Sequence, residues 1–460
     1  MLISKTTHYS KLIEAERFDA KYFFLEDKLK NIPSDMEVVD LGDERLLTNI
    51  TDGEHAGQVF VDEGILFIKN SSIKSFDISM FDGFYISEEK HNKLQRSALH
   101  SEDILFTTIG HIGSSAIVPL DFEEANINQN LVKMEIDKDF LDPYYLTAYL
   151  NSNLVKEQIN CLFTSNTHKI MTYPKIKQLK IIVPSKDFQN KIAGYYKEAL
   201  SCEIKSNELI NDAKLKFKKY LGIDFDSIPE KKHYTGTFSH IMKNDLWTPK
   251  FSYFKYKSIS EAIENKWNYI TLKPEEGAVE MFTGTEVGRD NYNNYLDKKI
   301  GDYPFIRTSD VYNYQIDLQP DFFVEKLLGD EINQDIRPND IVFTKDGKIG
   351  CVGMITEHDK AIIASGLIII RAIDINPYYL FLNLITEEVG QYQAIQRTVY
   401  ASTIPHLRKP RIEEFKIPII GDNEILELSS MVEEAFKLKN KKKVLIDNID
   451  SEMDKLTGNL

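Results

Sequence analysis

Two segments of the chain carry several basic side chains and no carboxylate. No acidic residue occurs between Glu157 and Asp187, and none occurs between Glu388 and Glu413. Such segments can neutralise the phosphates of a nucleic acid, a contact that positions a duplex without specifying its sequence. A basic surface beside a helix end, or a docking patch for an acidic partner, explains the same pattern. The basic residues are His168, Lys169, Lys175, Lys177, Lys180 and Lys186 in the first segment, and Arg397, His406, Arg408, Lys409 and Arg411 in the second.

Side chains that could read base edges occur in predicted loops. Base reading requires Arg, Lys, Asn or Gln on projecting segments, and glycines such as Gly347 and Gly350 indicate tight turns there. Each residue taken alone is also explained as a solvated loop residue, so the prediction rests on the two sets. The first set is Lys69, Asn70, His111, Asn126, Asn128, Gln129 and Asn130, and the second is Arg289, Arg307, Thr308, Lys345 and Lys348.

Two tetrapeptides, Asp142 to Tyr145 and Asn376 to Tyr379, look superficially like the Asn/Asp-Pro-Pro-Tyr/Phe loop of amino-methyltransferases. Both lack the second proline. Asp or Asn followed by Pro is an ordinary helix start, in which the side chain caps the helix and proline occupies its first position. We therefore predict helix caps. The glycine-rich turn that a methyl-donor nucleotide needs is also not apparent.

No other catalytic or metal-binding pattern is convincing. The sequence shows no Walker-type loop, no metal-ligand His pair and no nuclease constellation. Asp346-Gly347-Lys348 could imitate part of a catalytic strand and turn. The matching residues of the first repeat are Ile109-Gly110-His111, so we interpret the segment as a turn only. Cys161, Cys202 and Cys351 are far apart and lack ligand spacing, which favours small apolar residues. The chain is predicted not to be an enzyme, with no metal and no cofactor.

The elements that must position these residues are duplicated. Asp103-Ile104-Leu105-Phe106-Thr107 returns as Asp340-Ile341-Val342-Phe343-Thr344, and Gly110 and Gly113 return as Gly347 and Gly350. Asp142-Pro143-Tyr144-Tyr145-Leu146 returns as Asn376-Pro377-Tyr378-Tyr379-Leu380. Ordered matches of this kind indicate an internal repeat.

Each repeat combines two patterns. Short β-branched and aromatic runs broken by Gly, Asn and Asp indicate a mixed α/β domain. A long segment rich in Lys, Glu, Leu and Ala then indicates a single helix. The predicted boundaries are 1–186 and 223–421 for the two domains, and 187–222 and 422–460 for the two helices.

The helices carry heptads whose seams superpose. We predict an antiparallel coiled coil with a pseudo-twofold repeat, in which Ser206 faces Lys442 and Glu203 lies within reach of Lys439 and Lys442, fixing the register. Lysines that extend into water are the alternative. Helices of this length are roughly 50 Å long, so the pair could hold apart two domains that each read half of a DNA site. The predicted interface is Ile192, Tyr196, Ala199, Glu203, Ile210, Phe217, Val432, Ala435, Lys442, Ile446, Ile449 and Met453.

The bulk composition bears on location and partners. No stretch reaches the roughly 18 apolar residues of a membrane span, and the start lacks a signal peptide, so we expect a cytoplasmic protein with no membrane partner. The formal net charge of −15 argues against a simple basic nucleic-acid binder. The two acid-free segments show that positive charge is nevertheless concentrated in two places along the chain.

The order of variable domain, helix, variable domain and helix resembles the specificity subunit of type I restriction-modification systems. The resemblance covers essentially the whole chain. It rests on the repeated Asp-Ile-Leu/Val-Phe-Thr segments, on Ala401-Ser402-Thr403-Ile404-Pro405-His406-Leu407 followed by Phe415-Lys416-Ile417-Pro418-Ile419, and on the heptad helices.

The resemblance implies that each domain is a target-recognition domain that reads one half of a bipartite double-stranded DNA site. It also implies that the helices set the gap and dock two DNA methyltransferase subunits, which would carry the methyl donor, and that a restriction subunit binds where one is present. Such a complex serves phage defence. The alternative is a non-catalytic protein-binding scaffold or regulatory protein with the same duplicated architecture, for which the acidic balance is the best evidence.

Overall fold

The computed structural model of the chain describes residues 20–30, 32–33, 36–55, 59–79, 83–120, 122, 124–163, 169–231, 238, 242, 249–294, 301–400 and 404–458. Among the residues singled out above, His168, Ala401, Ser402 and Thr403 lie outside these ranges. The chain divides into two compact units, 1–200 with 444–460 and 201–443.

The first unit contains eleven described strands and five short helices, followed by the start of a long helix. The strands are β1 (Glu37–Asp40), β2 (Leu47–Asp52), β3 (Ile65–Ile68), β4 (Ile73–Lys74), β5 (Asp77–Ile78), β6 (Phe84–Ile86), β7 (Ile104–Thr107), β8 (Ser115–Ile117), β9 (Ala125–Ile127), β10 (Leu131–Ile136) and β11 (Lys180–Val183). The helices are α1 (Ala20–Lys30), α2 (Glu88–Lys93), α3 (Pro143–Leu150), α4 (Asn153–Cys161) and α5 (Tyr173–Lys177), and the long helix is α6 (Lys186–Leu221).

The second unit contains counterparts of these elements and three further described strands. Its strands are β12 (Asn268–Thr271), β13 (Val279–Thr283), β14 (Tyr292–Asn294), β15 (Tyr303–Ile306), β16 (Val311–Tyr312), β17 (Gln315–Ile316), β18 (Phe322–Val324), β19 (Ile341–Thr344), β20 (Val352–Met354), β21 (Ile362–Ile363), β22 (Leu367–Ala372), β23 (Val399–Tyr400), β24 (Pro405–His406) and β25 (Lys416–Ile419). Its helices are α7 (Phe254–Lys266), α8 (Lys326–Ile332), α9 (Pro377–Ile385), α10 (Tyr392–Arg397), α11 (Lys409–Glu413) and the start of α12 (Asp422–Gly458), with a π-helical segment at Glu387–Gln391 between α9 and α10.

The sheets of the two units correspond in strand order, and the second unit has three further described strands, β14, β23 and β24. A four-stranded sheet of order β2-β10-β7-β8 in the first unit corresponds to β13-β22-β19-β20 in the second. The pairs β1-β11 and β4-β5 correspond to β12-β25 and β16-β17. In a further small sheet β3 runs parallel to β9, as β15 does to β21. The predicted fold, two mixed α/β domains that alternate with two long helices, is confirmed.

The repeated Asp-Ile-Leu/Val-Phe-Thr motif builds the central strand of each domain. Its apolar residues in β7 and β19 are buried, at 0% exposure for Phe106 and Phe343. Burial of a large apolar side chain contributes about 1.5–3 kcal/mol. The aspartate before each strand is also buried: Asp103 accepts a hydrogen bond from Lys133 Nζ at 3.3 Å, and Asp340 accepts two from Arg371 at 2.8 and 2.9 Å. The motif is therefore structural.

The two Pro-Tyr-Tyr segments begin helices, as predicted. Asp142 Oδ1 accepts hydrogen bonds from the backbone N–H groups of Tyr144 and Tyr145, at 2.8 and 3.0 Å. Asn376 caps α9 in the same way. The Tyr145 hydroxyl donates to the Ile182 carbonyl at 2.8 Å, which ties α3 to β11. A capping side chain and a buried tyrosine account for the motif without catalysis.

The long helices lie close to their predicted ends and pack against each other in an antiparallel sense. Within the first unit, Lys191 Nζ of α6 lies 2.7 Å from Glu452 of α12. Within the second unit, Glu203 pairs with Lys439 and Lys216 pairs with Glu427, so numbering rises along α6 as it falls along α12. Of the predicted interface residues, Ile446 is half-buried and the other eleven are buried.

A charged layer lies inside the helix pair of the second unit. Glu203 accepts hydrogen bonds from Lys439 Nζ at 3.1 Å and from Lys442 Nζ at 2.9 Å. Neither lysine side chain is more than 5% exposed, so the alternative that both extend into water does not hold. Burial raises the pKa of the Glu203 carboxyl, but the two ammonium groups outweigh it and lower the pKa to about 2. The Ser206 hydroxyl is buried nearby in sequence, with no hydrogen-bond partner in the described part of the chain.

The cysteines and the helices of the described ranges show no feature of a disulfide, a metal site or a membrane-spanning helix. Cys161, Cys202 and Cys351 are all buried, as expected of small apolar side chains. Within the described ranges, no helix combines the length and the apolar character that crossing a bilayer requires. The same ranges contain no group of His, Cys, Asp and Glu side chains that could hold a metal ion.

Candidate nucleic-acid interface

The turn after the central strand has the same conformation in both domains. The Thr107 hydroxyl donates to the His111 carbonyl, and the Thr344 hydroxyl donates to the Lys348 carbonyl. Gly110 and Gly347 occupy these turns with φ of +80° and +69°, a region that favours glycine. The turns therefore hold His111, Lys345 and Lys348 on matching frameworks.

Each acid-free segment joins this turn through the same backbone hydrogen bond. The Met171 N–H donates to the Thr108 carbonyl at 3.0 Å in the first domain. The Leu407 N–H donates to the Lys345 carbonyl at 2.8 Å in the second. Lys169 and Arg408, which lie close in sequence to these bonds, are thereby brought near the turns.

The segment after β3 completes the cluster in the first domain. The Asn70 side chain donates to the Ile109 carbonyl at 3.1 Å and accepts from Asn128 Nδ2 at 3.4 Å. Because β3 and β9 are parallel, Asn70 and Asn128 follow strand ends that lie at the same edge. The structure thus brings together Asn70, Asn128 and the turn that carries His111, which are far apart in sequence.

A cation over a phenylalanine ring marks the corresponding position in both domains. Lys69 Nζ lies 3.1 Å from the centre of the Phe84 ring and 4.5 Å from that of Phe60. Arg307 Cζ lies 4.2 Å from the centre of the Phe322 ring. A cation is attracted to the face of an aromatic ring, so each ring orients its cation. Neither phenylalanine was predicted from the sequence, although Phe84 and Phe322 are separated by the same 238 residues as Lys69 and Arg307.

Three lysines of the first segment have no carboxylate partner in the described ranges, whereas Lys180 of the same segment pairs with Asp40 at 2.8 Å. The three are Lys169, Lys175 and Lys177. Lys175 Nζ lies 4.1 Å from the centre of the Phe163 ring. Lys177 is exposed at the end of α5, where its carbonyl accepts from the Gly42 N–H at 2.9 Å. This part of the first domain carries an excess of positive charge that suits a phosphate backbone.

In the second domain, carboxylates that border the acid-free segment fold back onto it. Lys409 pairs with Glu413 at 2.9 Å, and Arg411 pairs with Glu414 at 2.8 Å. The absence of acidic residues within the segment therefore does not leave these two side chains uncompensated. Arg408 is exposed at the start of α11 and has no carboxylate partner in the described ranges.

Arg397 lies inside the second domain. Its side chain is 11% exposed, its Nε is 3.6 Å from Glu414, and Nη1 donates to the Gln393 carbonyl at 3.3 Å. Burial lowers the pKa of the Arg397 guanidinium, and Glu414 acts in the opposite direction. The structure therefore places Arg397 apart from the exposed cations. Arg289 is exposed in a one-turn helix that follows Gly288.

A comparison with protein families matches two regions of the chain, residues 46–215 and 279–446, to the type I restriction modification DNA specificity domain. These regions are the two repeats, and together they cover more than half of the chain. The chain belongs to this family. A specificity subunit is a non-catalytic protein that recognises DNA, which confirms the resemblance stated above and the prediction that the chain is not an enzyme.

Individual relatives are distant. The chain is 24% identical over 203 residues to a putative type I restriction enzyme MjaX specificity subunit of Methanocaldococcus jannaschii, a match that covers 43% of this chain and 45% of that relative. The match thus spans about half the length of the curated relative. Solved structures with similarity include the S subunit of a type I restriction-modification system from M. genitalium, at 14% identity and a TM-score of 0.36, covering 93% of this chain and 96% of that one. The HsdS subunit of Thermoanaerobacter tengcongensis is 15% identical with a TM-score of 0.31, covering 93% and 98%.

Proposed function

We propose that this specificity subunit recognises a bipartite DNA site, with one half-site read by each domain. One observation carries the proposal: both domains bring the same three segments together, because Asn70 donates to the Ile109 carbonyl in the first domain and Thr308 lies beside Gly347 in the second. These are the segment after β3 or β15, the turn after β7 or β19, and the basic segment tied to that turn. A duplicated cluster of exposed polar loops suits two half-sites.

The helix pair is proposed to dock methyltransferase subunits, two of them, and a restriction subunit where the system has one. The outer faces of the helices in the second unit carry apolar side chains that core packing does not require. Ile204 is 41% exposed, and Leu215 and Leu426 are each 66% exposed. Exposed apolar side chains that are rimmed by charge are typical of protein interfaces. The methyl donor belongs to the partner in this proposal, and the complex acts in the cytoplasm.

The test is to express the chain with the methyltransferase encoded beside it and to map methylated bases at single-base resolution. We expect a split motif with a fixed unread gap, which disappears when this chain is omitted. If the methyltransferase marks the same bases without the chain, or never associates with it, the scaffold alternative replaces the proposal.

A charge-reversal variant separates DNA reading from assembly. Lys175→Glu, Lys177→Glu, Arg408→Glu and Arg411→Glu together are expected to abolish DNA binding while the complex with the methyltransferase still forms. Loss of assembly with retained DNA binding would instead support a protein-binding scaffold. Leu215→Asp with Leu426→Asp is the matched variant for the docking face. It should abolish association with the methyltransferase and leave DNA binding by the chain unchanged.

A further inference from the structure

The two loop clusters differ at one pair of equivalent positions. In the second domain, Asp346 of the turn and His406 of the basic segment hydrogen-bond through their side chains, with Oδ1 and Nδ1 2.7 Å apart. The equivalent residues of the first domain are Ile109 and Ile170. The backbone frame of the two pairs is common, because the bond from Leu407 to Lys345 repeats the bond from Met171 to Thr108.

Both pairs are accessible. The His406 side chain is 49% exposed and the Asp346 side chain 29% exposed. The Ile170 side chain is accessible too, at 46% exposure, although the next residue, Met171, is buried. A hydrogen-bonded polar pair in the second domain thus corresponds to two isoleucines in the first, of which Ile109 is half-buried and Ile170 is exposed.

The second-domain pair is held in one geometry. The Gly347 N–H donates to the Pro405 carbonyl at 3.0 Å, so backbone hydrogen bonds on both sides of His406 fix its main chain. Lys345 Nζ lies 2.5 Å from the other oxygen of Asp346, so each carboxylate oxygen has one nitrogen partner. A carboxylate can only accept, so the proton of the Asp346 to His406 bond belongs to Nδ1. In the neutral ring, Nε2 is then an acceptor.

We propose that positions 346 and 406 in the second domain, and 109 and 170 in the first, read the same position of each half-site and make the half-sites differ there. His406 Nε2 accepts a hydrogen bond from an exocyclic amino group in the major groove, the N6 of adenine or the N4 of cytosine. Ile170 packs against the methyl group of thymine. Asp346 is a positioning residue that sets the ring of His406. The inference rests on the proposed function, because it assumes that the clusters contact DNA.

The experiment uses the complex with the methyltransferase and compares methylation motifs. The double variant Asp346→Ile with His406→Ile gives the second domain the apolar pair of the first. We expect the preference for adenine or cytosine at one position of one half-site to fall by about tenfold to a hundredfold, with all other positions unchanged. The reciprocal variant, Ile109→Asp with Ile170→His, should weaken the preference for thymine at one position of the other half-site.

Controls distinguish a change in base preference from a failure to fold or to assemble. Arg337→Ala removes an exposed cation near the opposite end of β19 and should leave the motif unchanged. Thermal unfolding and association with the methyltransferase identify any variant that fails to fold. An unchanged motif in a folded double variant, a guanine at the affected position, or relaxation at several positions overturns the inference. A wild-type complex that marks no split motif overturns the proposed function itself.

Discussion

The Glu203 carboxylate lies 2.9 Å from Lys442 Nζ, at a place in the helix pair where both side chains are less than a tenth exposed. Lys439 contacts the other carboxylate oxygen, so one negative charge serves two positive charges. Moving a charge from water into a protein interior costs desolvation free energy. Nearby opposite charges offset that cost only while they remain in place. The layer therefore makes helix pairing sensitive to each of its members.

Removing the negative member should destabilise the helix pair. In Glu203→Gln, two buried ammonium groups lose the carboxylate that both contact, and we expect the free energy of unfolding to fall by about 3–5 kcal/mol. Chemical denaturation followed by circular dichroism measures the change. Glu208→Gln, an exposed substitution on the same helix, is the control and should change stability by less than about 0.5 kcal/mol. Equal effects of the two substitutions would contradict the role assigned to the layer.

The same residue predicts a pH dependence. Its pKa is lowered from 4.5 to about 2 in the folded chain, so the unfolded chain binds the proton more tightly. The stabilisation is therefore fully present above about pH 5 and is lost as the pH falls from 4.5 towards 2. The difference in stability between wild type and Glu203→Gln should shrink over that range. A difference that stays constant down to pH 2.5 would show that the charge of Glu203 does not stabilise the pair.

The uncompensated lysines of the first domain should contribute to the salt dependence of DNA binding. Lys169→Ala with Lys175→Ala removes two phosphate contacts, and the slope of log K against log salt should decrease by about two. Fluorescence anisotropy with the assembled complex measures the slope. Lys138→Ala is the matched control, because Lys138 pairs with Glu102 near the opposite end of β7 from Thr108. A slope that changes equally in the control would place the contacts elsewhere.

Two arginines of the second basic segment should behave in opposite ways. Arg408→Ala removes an exposed cation, so it should weaken DNA binding and leave the melting temperature unchanged. Arg397→Ala removes a buried side chain that contacts Glu414 and Gln393, so it should lower the melting temperature by several degrees. Differential scanning fluorimetry and anisotropy on the same preparations distinguish the two. If Arg397→Ala weakens binding at an unchanged melting temperature, the structural role assigned to Arg397 is wrong.

Much of the architecture was predictable because its determinants are local or periodic. The repeat is visible as matching strings, and an aspartate or asparagine before proline caps a helix by contacts within three residues. The heptads place Glu203 and Lys439 on the same seam, since helical periodicity alone decides which residues share a face. The family assignment follows from the order of these elements.

The composition of the loop clusters was less predictable. The acid-free segment of the second domain suggested uncompensated cations, yet Glu413 and Glu414, which border it, fold back onto Lys409 and Arg411. Asp346 was interpreted only as part of a turn, because its partner His406 is sixty residues further along the chain. Contacts of this kind depend on how separate strands end at one edge.

The duplication, the alternation of mixed domains with long helices, and membership of the specificity family could all be read from the order of residues along the chain. Short-range hydrogen bonding and hydrophobic periodicity are encoded within a few neighbouring residues, which explains why these features can be read directly. The three-dimensional arrangement of the strands sets which side chains meet in the loop clusters, which cations are neutralised, and why the Arg397 side chain is only 11% exposed. Those outcomes depend on distances between segments remote in sequence, and strand pairing sets these distances.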